Sequence, residues 1–293
     1  MGNNSEQEII CGCKVNIYLR ITGRRDDGLH DLESLFLPLS HPADRLLIRS
    51  RKKAGIEFHC SRPGLQEENI VVRAYEAFAG KTGFSPGYEV YLEKNIPHGS
   101  GLGGGSSDAA GMLSFLNSRA GEKALSSKRL LRLAMHLGAD VPFFLQNRPA
   151  WISGSGECVR PVEIRKQSMS GILICPELCV STAWAYKSWD ENTDRVSPGL
   201  QLLTNMEGVY KKSLFIRDIV LFNSFEQVVF GKYPQLARIK CSALRHGARG
   251  CVLSGSGAAM LAFFPDDRIK DGFERYLSQR GFQYYKLDLH TGA

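Results

Sequence analysis

The chain has 293 residues, 43% apolar and 23% charged, with a formal net charge of +7. This is the composition of a globular protein long enough for two lobes, and it excludes a disordered chain. No apolar run reaches the roughly 20 residues of a membrane-spanning helix, and residues 1–8 have neither signal-peptide nor transit-peptide character, so a cytoplasmic location is expected. The eight cysteines (11, 13, 60, 158, 175, 179, 241 and 251) show no C-x-x-C pairing and read as reduced and mostly buried. The basic residues are spread along the chain rather than gathered in one stripe, which suits nucleotide phosphates or plain solvation better than nucleic acid.

The first elements are strands. Val15, Ile17, Leu19 and Ile21 alternate, a charged turn follows at Arg24–Gly28, and a second run covers Leu32–Leu39, predicting an opening hairpin. Asn69 is placed to cap a helix running to Ala79, and Tyr88–Leu92 reads as a strand. Between Pro97 and Asp108 stands Pro-His-Gly-Ser-Gly-Leu-Gly-Gly-Gly-Ser-Ser-Asp, followed by a helical pattern over Ala109–Leu116. A further helix is expected over Ser126–Leu137, stopping at Gly138, and a strand pair over Trp151–Pro161.

The polar stretch Ile164–Ser170 reads as a boundary, dividing the chain into lobes 1–165 and 166–293. The second part is expected to hold a strand at Gly171–Cys175, a mobile loop over Asp190–Pro198, and helices over Gly199–Tyr210 and Pro234–His246. Its last elements are a strand at Gly250–Leu253, a glycine turn at Ser254–Gly257, a strand at Ala258–Phe264, a helix at Ile269–Arg280 and a strand at Gln283–Leu289. Strands and helices fall in unequal groups, so an α+β fold is expected rather than a doubly wound sheet.

Chemistry enters with the glycines. Five in seven residues (99–105), between a strand and a helix, form a phosphate cradle: glycine allows φ > 0 and close approach of backbone N–H groups, and the helix N-terminus adds its dipole. The segment lacks the Lys-Ser/Thr ending of a Walker loop and the spacing of a dinucleotide fingerprint. Lys14 and Asn16 share one face of an alternating strand, and Asp140 sits in the apolar context Gly138-Ala-Asp-Val-Pro142. Taken singly, Asp140 also reads as a turn cap, Lys14 as a strand-edge lysine and Asn69 as a helix cap, while the Ser254–Gly257 turn reads as a buttress of the main loop, as a contact to the acceptor's phosphates, or as close backbone packing alone.

Together, Lys14-Val-Asn16, Ile21–His30, Glu68-Asn-Ile70, the Gly99–Ser107 loop, Gly138–Pro142 and Ser254–Gly257 resemble the kinases grouped with galactokinase, homoserine kinase, mevalonate kinase and phosphomevalonate kinase, the GHMP kinases. The resemblance spans almost the whole chain. The segments Thr22–His30 and Gly138–Pro142 resemble the branch that phosphorylates the 2-hydroxyl of 4-diphosphocytidyl-2-C-methyl-D-erythritol with ATP, a step of the non-mevalonate isoprenoid route.

The resemblance implies a two-lobed fold with its active site in the intervening cleft, Asp140 as catalytic base and Lys14 beside the same hydroxyl. It assigns ATP to Pro97, His98, Gly99, Ser100, Gly101, Leu102, Gly103, Gly104, Gly105, Ser106 and Ser107, with Asn69 near the adenosine, and it implies Mg²⁺ on the ATP phosphates. For the acceptor it implies Asn16 on the polyol, His30 on the cytosine edge, Tyr186 as a stacking aromatic, and Leu29, Thr182, Gly255 and Ser256 around them. His30 also reads as an ordinary turn histidine and Tyr186 as an ordinary core or rim tyrosine. Leu29 departs from the family's usual tyrosine and leaves one face of the base apolar but not aromatic; His98 stands where the family often has an apolar residue. The alternatives are another acceptor of the same group, such as homoserine or a mevalonate phosphate, and a nucleic-acid-binding module.

Overall fold

A computed structural model describes residues 6–165, 169–192 and 220–288. Two compact units share these residues, and neither is continuous in sequence. One takes in the described residues up to Lys14, Pro38–Pro97 and Gly103–Asn147. The other takes in Val15–Leu37, His98–Leu102 and the described residues from Arg148 onward.

In the first unit, β2 (His30–Ser50) contributes its second half, which pairs antiparallel with β4 (Gly87–Glu93) from Arg45 opposite Glu93 to Ser50 opposite Tyr88. β3 (Gly55–Cys60) lies parallel to β4 and reaches it through α1 (Ile70–Thr82), the helical crossover that parallel neighbours require. Asn69 caps α1 by accepting from the Val71 N–H, and Gly83 ends it in the left-handed region at φ 67°. α2 (Gly104–Arg119) packs on α1 and on the short α4 (Val141–Gln146), with α3 (Ser127–Leu137) alongside. The core here is formed by Val71, Ala74 and Phe78 of α1, Met112, Leu113 and Leu116 of α2, and Phe143 of α4, all essentially without exposure.

The second unit holds most of β1 (Gln7–Arg24), where Tyr18 lies opposite Phe222 of the two-residue β8 (Phe222–Asn223). The first half of β2 pairs with β5 (Ala150–Gly154), which turns back as β6 (Cys158–Pro161). A separate antiparallel sheet follows the order β11-β7-β10-β9, with β7 at Ser170–Cys175, β9 at Gly250–Leu253, β10 at Met260–Phe264 and β11 at Gln283–Asp288. Its helices are α5 (Thr182–Asp190), α6 (Glu226–Lys232), α7 (Pro234–Arg245) and α8 (Asp267–Gln279). One apolar cluster joins Ile172, Ile174, Met260 and Phe264 of the sheet to Ile239, Phe273 and Leu277 of the helices and to Leu19 and Ile21 of β1.

Three expectations need correction. α2 begins at Gly104 rather than Ala109, so the last residues of the glycine motif are its first turn. β3, α4, α5 and α6 stand where no element was expected; each is short, and short apolar runs carry little periodicity. None of the eight cysteines forms a disulfide, but only 11, 13, 175 and 251 are buried, Cys60 is half-buried, and 158, 179 and 241 are exposed, because the last three lie at element ends or on an outer helix face. The expected helix Gly199–Tyr210 and residues 193–198 of the expected loop lie outside the described residues. Among the described residues no helix is long and apolar enough to cross a membrane.

Candidate active site

Lys14 ends the first unit's share of β1, in a stretch, Cys13–Leu19, that is buried on both faces. It is 4% exposed, so it is no edge or surface lysine. Its Nζ stands 3.5 Å from Oδ2 of Asp140, whose side chain keeps 32% exposure. Asp140 comes from the turn between α3 and α4. Although it occupies the residue before α4, its carboxylate makes no capping hydrogen bond, and the turn-cap reading does not account for it.

The glycine loop passes close to this pair. A Cβ at Gly103 would lie 3.0 Å from the Phe144 ring and 3.3 Å from Lys14 Cε, and one at Gly138 would lie 3.9 Å from Ser106 Oγ. Gly103 itself has φ 73°, and the Ser107 N–H bonds back to its carbonyl as α2 starts. The N–H groups of α2 before Ser107 have no acceptor within the helix, so Gly104–Ser106 offer donors and a positive dipole end beside the Lys14–Asp140 pair. Asn69 is occupied otherwise: its oxygen caps α1 and its amide donates to the Leu65 carbonyl at 2.7 Å.

Beneath the start of α2 lies a charge cluster that sequence reasoning missed. Lys94, just past β4, pairs with Asp44 of β2 and, at 2.8 Å, with Asp108 of α2; the side chains are 6%, 0% and 2% exposed. Asp44 Oδ1 also accepts from the Asn95 N–H at 2.6 Å and the Ile96 N–H at 2.8 Å. Asp108 Oδ1 has no hydrogen-bond partner, and burial, with Asp44 nearby, pushes the Asp108 carboxyl up to about 8 against the pull of Lys94. Burial likewise pushes the neighbouring Cys11 thiol up. Asp108 was visible at the end of the glycine motif, whereas Asp44, inside β2, and Lys94, just past β4, carried no signal, since charged residues normally face water.

In the second unit the middle of the glycine loop is held by its carbonyls. Gly99 accepts from the Val180 N–H at 3.3 Å, Ser100 from the Ala259 N–H at 3.0 Å, and Gly101 from Ser254 Oγ at 3.2 Å. Gly99 and Gly101 have φ 64° and 77°, and a Cβ at Gly101 would sit 2.0 Å from the Ser254 carbonyl oxygen. The Ser254–Gly257 turn is thus a buttress for the loop, and is itself held by Asn223, whose amide donates to the Leu253 and Gly255 carbonyls. Leu102 is 1% exposed and can offer a ligand only its backbone, whereas His98 is exposed.

Asn16 donates from its backbone N–H to Ser254 Oγ at 3.3 Å and from its amide to Ser34 Oγ at 2.9 Å. Thr182 Oγ1 lies 2.9 Å from Ser256 Oγ. His30 stacks on Tyr186 with ring centroids 4.6 Å apart and meets the edge of Trp189. Its Nε2 stands 2.6 Å from Oδ1 of Asp190, which also faces Arg24 Nη1 at 3.5 Å. Asp190 is a second residue sequence reasoning missed, because its partner is 160 positions away. Leu29, 52% exposed, lies beside this aromatic group in sequence but not in burial.

The family model for the GHMP kinases N terminal domain matches residues 69–148, and that for the GHMP kinases C terminal matches residues 211–282. A 4-diphosphocytidyl-2-C-methyl-D-erythritol kinase of Solidesulfovibrio magneticus is 46% identical over 86% of this chain and 86% of its own. One from Nitratidesulfovibrio vulgaris is 42% identical over 94% of this chain and 96% of its own. A crystal structure of 4-(cytidine 5'-diphospho)-2C-methyl-D-erythritol kinase superimposes with a TM-score of 0.75 at 31% identity, covering 96% of this chain and 98% of that one. The α+β architecture, the paired Lys14 and Asp140 and these likenesses agree: the chain belongs to the GHMP kinases, among the 4-diphosphocytidyl-2-C-methyl-D-erythritol kinases.

Proposed function

We propose that this kinase transfers the γ-phosphoryl group of ATP to the 2-hydroxyl of 4-diphosphocytidyl-2-C-methyl-D-erythritol, in the cytoplasm. The observation that carries the reading is the 3.5 Å approach of Lys14 Nζ to Asp140 Oδ2 beside Gly103 and Ser106. Phosphoryl transfer asks for an acceptor hydroxyl held in line, a group to take its proton, and N–H dipoles or positive charge on the spreading phosphate charge. Asp140 takes the proton as the acceptor oxygen bonds to phosphorus and the bond to the ADP oxygen breaks. Lys14 holds that hydroxyl and draws charge from the transferred group. Pro97–Ser107 embrace the ATP phosphates, and Asn69, while capping α1, borders the adenosine.

Asn16, Thr182, Gly255 and Ser256 serve the acceptor's polyol and phosphates, and His30, Tyr186 and Leu29 its cytosine. The Asp190 carboxylate on His30 Nε2 makes that nitrogen the donor and leaves Nδ1 to face a ligand. Mg²⁺ bound with ATP would neutralise charge on the phosphates, and Ser107, in the first turn of α2, would hold it together with the ATP oxygens. The two family matches fall on either side of residue 165, which supports 1–165 and 166–293 as sequence divisions, although the compact units cross them at 15–37, 98–102 and 148–165.

Purified protein with Mg-ATP and the cytidyl acceptor is expected to release ADP, and homoserine or mevalonate phosphates in its place are expected to release none above background. ADP release with homoserine alone would move the protein to that branch. Leu29→Tyr is expected to tighten the acceptor's dissociation constant, since stacking of a base on an aromatic side chain contributes about 1 to 3 kcal/mol. An unchanged constant would remove Leu29 from the cytosine site.

A further inference from the structure

The Asp44–Lys94–Asp108 cluster joins the two ends of the glycine loop. Lys94, Asn95 and Ile96 are the residues that enter it, and two of their backbone N–H groups bond Asp44 Oδ1. Gly104 and Asp108 leave it: a Cβ at Gly104 would lie 3.2 Å from Asp44 Oδ2, and Asp108 Oδ2 bonds Lys94 Nζ. One buried carboxylate and one buried ammonium therefore fasten the entering segment Lys94–Ile96 to the first turns of α2.

Stability alone is a poor account of such a cluster. Burying three ionisable groups costs desolvation that apolar side chains of similar size avoid. The cost is visible in Asp108, whose Oδ1 is left without a hydrogen-bond partner and whose carboxyl is pushed up by burial. What ions supply and apolar groups lack is direction. The bonds to the Asn95 and Ile96 N–H groups and to Lys94 Nζ set where Gly104 begins its helix, and with it where the Gly104–Ser106 donors aim.

We propose that Asp44, Lys94 and Asp108 are positioning residues for the phosphoryl donor: they fix the α2 N-terminus that receives the ATP phosphates without touching either substrate. The inference rests on the reading of the glycine loop as the ATP site.

Steady-state kinetics with ATP and the cytidyl acceptor varied in turn, together with thermal melting, test it. Lys94→Met is expected to raise KM for ATP by about tenfold or more, since small misplacement of a reacting group is costly. KM for the acceptor is expected to stay within about twofold, and Lys94→Arg to recover much of the loss, because a guanidinium can still reach both carboxylates. If Lys94→Met does not fold, the near-isosteric Asp108→Asn serves, with a several-fold rise in KM for ATP alone. Equal changes in both KM values, no change in either, or no recovery by Lys94→Arg where Lys94→Met is folded would overturn the proposal. Failure of the folded wild-type protein to bind ATP, read by calorimetry, would overturn the ATP reading and this inference with it; binding that is insensitive to these substitutions would overturn only the inference.

Discussion

Asp140 ends up beside a lysine rather than on a helix cap, and that choice is invisible in its local sequence, where Gly-Ala-Asp-Val-Pro is a good turn into a helix. Its pairing with Lys14 is a contact across 126 positions. Replacing Asp140 by Asn or Lys14 by Ala is expected to lower kcat by about 10² to 10⁴ with the fold intact, the usual contribution of a general base or a placed charge. Steady-state ADP release checks it, and wild-type turnover in either variant would strip that residue of its role. Asp108 has a different signature. Its carboxyl is moved from 3.8 to about 8 on folding, so between those values the folded protein keeps a proton that the unfolded chain has released. The stability this group contributes is complete at low pH and declines as pH rises through that window. Melting of wild type and Asp108→Asn at about pH 5 and about pH 8 should show wild type losing ground to the variant at the higher pH. A constant difference would mean that Asp108 is ionised when folded.

The elements were legible to different degrees, for physical reasons. α1 announced itself by an Asn cap, an apolar stripe and a closing glycine, and α7, α8 and β9 by clean periodicity and turn residues. α5 did not, because Thr-Ala-Trp-Ala-Tyr-Lys-Ser-Trp-Asp mixes small and aromatic residues in a helix of nine residues whose stability comes from packing. The glycine loop reads as a phosphate cradle and the Ser254–Gly257 turn as a buttress for it or a neighbour of the acceptor's phosphates; the structure adds the closeness of the two, since the turn sits so near Gly101 that a single methyl has no room. Gly101→Ala would require φ 77° of an L-residue and a contact 2.0 Å from a carbonyl oxygen. The expected result is a displaced loop, with KM for ATP rising far more than the melting temperature falls. An unaltered KM would separate this loop from the nucleotide.

Over the whole molecule, the compact units cut across the order of the chain. Leu19 and Ile21 of β1 belong to the apolar cluster of the second unit, and the Ile21 N–H donates to Ser224 Oγ at 3.0 Å. A fragment 166–293 therefore lacks two core side chains, each worth about 1.5 to 3 kcal/mol on burial, a loss that rivals the net stability of about 5 to 15 kcal/mol of an ordinary domain. Circular dichroism and limited proteolysis are expected to find that fragment unfolded, and a cooperative melt with native protease resistance would show the β1 contribution to be dispensable.

From its sequence alone the protein yields what is local: the glycine-rich loop, the caps and stops of its longer helices, the strand alternation, and the motifs that carry its kinase family. Those follow from φ/ψ preference and short-range periodicity, which any stretch of chain expresses by itself. The resemblance puts Lys14 and Asp140 at one hydroxyl, and the structure gives their 3.5 Å approach; tertiary structure alone decided that His30 meets Asp190 and that three ionisable side chains lie buried under α2. These are long-range electrostatic pairings, and a charge is settled in an apolar interior only when folding brings it a partner from elsewhere in the chain.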